Sequence, residues 1–304
     1  MLHLPHRRCS RCAVLAIACT LGLISVQGCK TQKDAEAAAE QMAVTSKVLR
    51  DYYQALDRIL GEWQDAYEAQ RVIDNTQPED LSKLREQMRH RAALAVEIGD
   101  LAAVFQKLTG STAASDASAA AGKLNDDAVT LAGLTANDAQ TQAVTTGVKA
   151  VVQLIQQHDE RKAAEKMAPL CHDLVVFFES EKDRYVMISR SYDSTARNVA
   201  RAMVRRNQVD PSSVFLSSLH PFGLAPAIQD SSIRQTLQPY LLAQIDVRRD
   251  GKDKQAEAAA DALDQCLQEM DHRVDLVAHR KSMPLRLPPF SLETVKSWID
   301  QAGT

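Results

Sequence analysis

Glycine and aromatic residues are scarce in this chain of 304 residues: eleven glycines, and 5% Phe, Trp and Tyr together. Few glycines leave little material for the tight turns of an all-β fold or for the glycine-rich loops that cradle phosphates. No run alternates apolar and polar residues as a half-buried strand does. Excess positive charge is also missing. Without the three arginines of the first 28 residues, 33 basic residues face 39 acidic ones, a net of −6. A nucleic-acid binder needs the opposite balance. No apolar run reaches the roughly twenty residues that a membrane-spanning helix requires. The sequence contains no G-x-S-x-G, H-E-x-x-H, P-loop or dinucleotide-binding glycine pattern. Carboxylates are too plentiful for any two of them to be singled out as an acid–base pair. The expectation is a protein that is not an enzyme and has no cofactor or metal.

What the sequence does have begins at its N-terminus. Arg7, Arg8 and Arg11 precede an apolar run from Ala13 to Val26, which ends in Val26-Gln27-Gly28-Cys29. A basic start followed by a short apolar stretch is the pattern of a secretory signal. Together with the aliphatic residue, small residue and cysteine at its end, it resembles the signal and lipobox of bacterial lipoproteins. Gln27 stands where that motif usually has a small residue. The resemblance implies a signal peptide over 1–28, cleavage before Cys29, and a membrane partner reached through lipid on Cys29. Two or three acyl chains make a stable anchor, at about 0.8 kcal/mol per buried methylene. Lys30, in place of the aspartate that favours inner-membrane retention, implies the outer membrane facing the periplasm in a Gram-negative host. The motif covers about a tenth of the chain and does not bear on the rest.

The remainder is rich in Ala, Gln, Glu, Lys, Arg and Leu, a helix-forming composition. Leu49, Tyr52, Leu56, Ile59, Trp63 and Tyr67 recur every three or four residues, which predicts one face of a long helix over 31–73. A second helix is expected from Pro78 to Thr109 and a modest one near 124–134. A third long element runs over 139–207, kinked or broken at Pro169. A fourth covers 231–282, with a possible interruption at Asp250-Gly251, and a short helix over 292–302 follows. The predicted fold is all-α: an elongated antiparallel helical bundle with long coiled-coil-like helices. A lipidated tether over 29–40 would lead to a single domain over 41–304.

Three cysteines leave with the signal and Cys29 takes lipid, so Cys171 and Cys266 remain as a pair in an oxidising compartment. Thirty-six residues separate Cys171 from Asn207, and thirty-five separate Ser231 from Cys266. If these arms form a hairpin, the two cysteines are level across it, and a disulfide is expected. It would close a loop of about 95 residues and contribute ~4 kcal/mol on the chain-entropy model.

Other groupings argue for less. His272 and His279 are seven residues apart on one helix face, about 10 Å, too far to share an ion. Glu86 and His90, flanked by Arg89 and Arg91, read as a surface pair. Cys171 and His172 are adjacent, so on a helix their side chains diverge by about 100°. The candidate interaction surface is the proline-rich segment 209–230, with apolar Val214, Phe215, Leu216, Phe222 and Leu224. These features point to a lipid-anchored cell-envelope protein that binds or scaffolds another envelope protein. The alternative expectation is a membrane-active helical protein whose apolar segment 209–230 contacts a bilayer.

Overall fold

The computed structural model describes residues 11–75, 77, 79–109, 121–122, 139–156, 160–210, 221, 230–279, 281 and 292–302. It is an all-α bundle, and no strand occurs among the described residues. Six helices are delimited: α1 (Arg11–Asp74), α2 (Ser82–Thr109), α3 (Ala139–Gln156), α4 (Glu160–Arg205), α5 (Ser231–Ala278) and α6 (Leu292–Gln301). The expected weak helix near 124–134 lies outside the described residues.

Helix ends follow capping chemistry. α1 and α4 end just ahead of Asn75 and Asn207, whose φ values of 55° and 57° place both in the left-handed region that asparagine tolerates. Beyond Asn207, the Gln208 amide donates back to the Met203 carbonyl at 2.9 Å, a Schellman-type closure. α2 starts later than Pro78. Asp80 accepts from the Ser82 amide at 2.9 Å, which sets the helix start four residues further on. Asp230 caps α5 in the same way, from Ser232 at 2.7 Å.

Paired partners give the directions of the long helices. Gln64 meets Leu81, Asp57 meets Arg85 and Ser46 meets Gly99, so α1 and α2 are antiparallel. Tyr53 meets Tyr185, Trp63 meets Thr195 and Ile73 meets Arg206, so α1 and α4 are parallel. His172 meets Asp271, Lys182 meets Asp264, Arg190 meets Glu257 and Arg201 meets Asp246, so α5 returns antiparallel to α4. α6 lies against α1, where Arg58 donates to the Ile299 carbonyl.

The third long element differs from expectation. α3 and α4 are separate helices, with α3 ending at Gln156, and α4 continues through Pro169. The two fold against each other: a Cβ added at Gly147 would lie 2.8 Å from Leu170 Cδ1. α5 continues through Asp250-Gly251 without a break. The packed part of α1 also begins before residue 41, since Ala35, Ala38 and Ala39 are buried in the core. The Ala-rich stretch expected to be a tether is therefore part of the bundle.

The centre of the core is aromatic. Tyr52 packs edge-on against Phe178 and Tyr185, and lies 4.8 Å from Trp298 between ring centroids. These four residues come from α1, α4 and α6, and all are buried. Such ring contacts add about 0.5–1.5 kcal/mol per pair beyond area burial.

Candidate ligand-binding cleft

One side of this aromatic centre opens into a cleft of about 270 Å³. α1 contributes Ile59 and Glu62, and α4 contributes Ser189, Tyr192 and Asp193. Lys252 and Gln255 stand on the α5 wall, while α6 closes the cleft with Trp298, Gln301 and Ala302. Four helices meet here because α6 packs against both α1 and α5. The helical repeat aligns Ile59 with Glu62 and Ser189 with Tyr192, each pair three residues apart on one face.

The polar groups differ in how they are held. Tyr192 donates its hydroxyl to the Glu62 carboxylate; burial first, and then that bond, raise the phenol above its ordinary range. Ser189 is 6% exposed, and its hydroxyl has no hydrogen-bond partner among the described residues. Trp298 is also 6% exposed, with one face occupied by Tyr52.

The aromatic centre also holds a buried charge against Tyr185. Arg91 is 2% exposed; it pairs with Glu181 at 3.2 Å and donates to the Tyr185 hydroxyl at 2.6 Å. Its guanidinium stands 4.8 Å from the Phe177 ring centroid. Burial and the neighbouring Tyr53 push the Tyr185 phenol well above its ordinary range, although Arg91 opposes this. Sequence reading takes Glu86 and His90 as a surface pair with Arg91 at its flank; Glu86 is exposed, whereas Arg91 is buried. Its place on the inward face next to Met88 and Ala92 was the available signal.

Cys171 and Cys266 are both buried, and both are free thiols. The expected disulfide is corrected by the helix register. Gln238 donates to the Val204 carbonyl and the Asn207 side chain, so the first two turns of α5 extend beyond the end of α4. Counting both arms from the loop misses this overhang of seven residues. Gln268, close to Cys266, meets Glu179 rather than Cys171. The two cysteines are thus about two turns apart along the axis, ~12 Å, whereas a disulfide needs Cα atoms within about 7 Å. Burial raises both thiols, Cys266 to about 12, which makes them poor nucleophiles.

The remaining sequence candidates fall elsewhere. Cys29 lies in α1, and its side chain is outside the described ones. Val214, Phe215, Leu216, Phe222 and Leu224 lie outside the described residues. His172 is exposed and turns from Cys171 to Asp271, at 3.3 Å. Burial raises the Asp271 carboxyl, although His172 pulls it down. His279 pairs with Asp275 at 2.8 Å within its own helix, which Lys281 also approaches at 3.6 Å. No cluster of three or more His, Cys, Asp or Glu among the described residues is arranged to hold a metal ion. No described helix is long and apolar enough to cross a membrane.

No family model matches the chain, and neither the curated proteins nor the solved structures contain a match.

Proposed function

We propose that this chain is a lipid-anchored cell-envelope protein that acts by binding or scaffolding an envelope partner rather than by catalysis. The observation that carries this reading is the lipobox-like Val26-Gln27-Gly28-Cys29 immediately ahead of the packed bundle. Ala35, the first buried core residue of α1 among the described side chains, follows Cys29 by six residues, about 9 Å along a helix. An acyl group on Cys29 would therefore hold the domain against the bilayer rather than on a long leash. In a bacterial host, metabolic labelling with an alkyne fatty acid should tag the wild type and leave Cys29→Ala untagged, and intact mass should show loss of residues 1–28. An untagged wild type beginning at Met1 would refute the anchor.

A second reading rests on one stripe of α5. Ile233, Tyr240 and Val247 recur every seven residues and are 47%, 59% and 75% exposed, on the helix that follows the apolar segment 209–230. Such a stripe suits contact with a bilayer. Binding of unacylated Cys29→Ala protein to anionic liposomes supports it, whereas free passage through flotation removes it.

A further inference from the structure

We infer that the cleft between α1, α4, α5 and α6 binds a small zwitterion, carrying one ammonium and one carboxylate, of amino-acid to dipeptide size. This inference rests on the cleft alone and does not depend on lipid at Cys29.

Three observations lead to it. The first is Ser189. Buried hydroxyls nearly always find a partner, and one without costs about 1–3 kcal/mol. The Ser189 hydroxyl is buried, lines the cleft and has no partner among the described residues, so it is available to a polar group that enters the cleft. The second is the placement of charge. Glu62 and Asp193 stand on the α1 and α4 walls, while Lys252 stands on the α5 wall. Opposite charges on different walls complement a molecule whose own ends carry opposite charges. Glu62 is held for this role by the Tyr192 hydroxyl. The third is the state of the aromatic wall. Sugars bind by laying a C–H face on an open ring, but Trp298 is 6% exposed and one of its faces rests on Tyr52. With Ile59 and Ala302 it offers an apolar edge suited to a small side chain instead. A volume of about 270 Å³ falls just below the roughly 300–1,000 Å³ of drug-sized sites, which suits a smaller molecule.

Calorimetric titration of the full-length protein in detergent micelles tests this. The probes are L-alanyl-L-alanine, its N-acetyl form, its C-terminal amide, and methyl α-glucoside. The free dipeptide should saturate a single site. Blocking either end should weaken binding at least tenfold, and the glucoside should not bind. In Glu62→Gln the penalty for N-acetylation should shrink while that for amidation persists. Lys252→Gln should show the reverse. No saturable binding of the dipeptide, equal binding of the blocked forms, or binding of the glucoside alone would each overturn the inference. The probe series on the wild-type protein decides it even if a variant fails to fold.

Discussion

Arg91 shows what a single side chain contributes to this bundle. A guanidinium loses much of its hydration when buried, and the loss is offset here by Glu181, the Tyr185 hydroxyl and the Phe177 ring. Removing one partner of a buried pair typically costs about 3–5 kcal/mol, because the other charge stays buried and uncompensated. Glu181→Gln should therefore lower stability by about 3 kcal/mol, read from the urea midpoint. Arg184 also pairs with Glu181 but is half exposed, so Arg184→Ala should cost less than about 1 kcal/mol. Equal losses would show that the buried network has no special weight. Residue by residue, the apolar stripe was legible: Leu49, Tyr52, Leu56 and Ile59 are all buried, and Trp63 and Tyr67 pack against the core. Arg91 was not, because periodicity places a residue on a face but cannot reveal that three distant partners make its charge tolerable there.

At the level of elements, close approach between helices is the decisive quantity. Gly99 of α2 faces Ser46 of α1 so closely that an added Cβ would lie 2.8 Å from the Ser46 hydroxyl, which donates to the Ala43 carbonyl. Alanine is favoured over glycine inside a helix by about 1 kcal/mol. Gly99→Ala should nonetheless destabilise, since Ser46 must give up its bond or α2 must move away. In a Ser46→Ala background the same change should become neutral or stabilising. A double-mutant cycle by chemical denaturation measures this coupling, and its absence would mean that the helices are not in the described contact. Helix existence and approximate extent followed from composition and spacing. Two features did not. The separation of α3 from α4 goes with a contact across the pair, Gly147 against Leu170, that spacing along the chain does not reveal. The overhang of α5 depends on Gln238 finding Val204 and Asn207, so no count along the chain reveals the level of the two cysteines.

For the whole molecule, the buried acids of high pKa determine the alkaline limit. Cys171 and Cys266 are raised from ordinary values of 9.0, and Tyr52, Tyr185 and Tyr192 from 10.0, chiefly by burial. Burial lowers Lys182, but the hydrogen bonds that its ammonium donates to Asp261 and Asp264 outweigh it and leave the ammonium raised from 10.5. In every case the folded chain keeps a proton that the unfolded chain gives up. Stability from these groups is complete below about pH 9 and falls as pH rises through the range up to 12 and beyond, because the unfolded state then binds fewer protons. Each fully buried group steepens the fall by about 1.4 kcal/mol per pH unit. Urea midpoints measured across this range should decline, and phenolate absorbance should appear with unfolding rather than before it. Tyrosines that ionise near pH 10 in the folded state would contradict the packing. All-α architecture was evident from the sequence as a whole, whereas the cleft was not, since its walls come from helices separated by more than two hundred residues.

The single helix α1 enters the bundle near Ala35 and packs against α2, α4, α5 and α6 before ending at Asp74. Tension applied at its N-terminal end acts along the helix axis, parallel to those seams. The contacts must then slide together rather than open one after another from an end. A pull on that N-terminal end thus loads the whole bundle in shear, so the bundle should yield at high force in one step, whereas a pull on the short α6 would peel that helix away at low force.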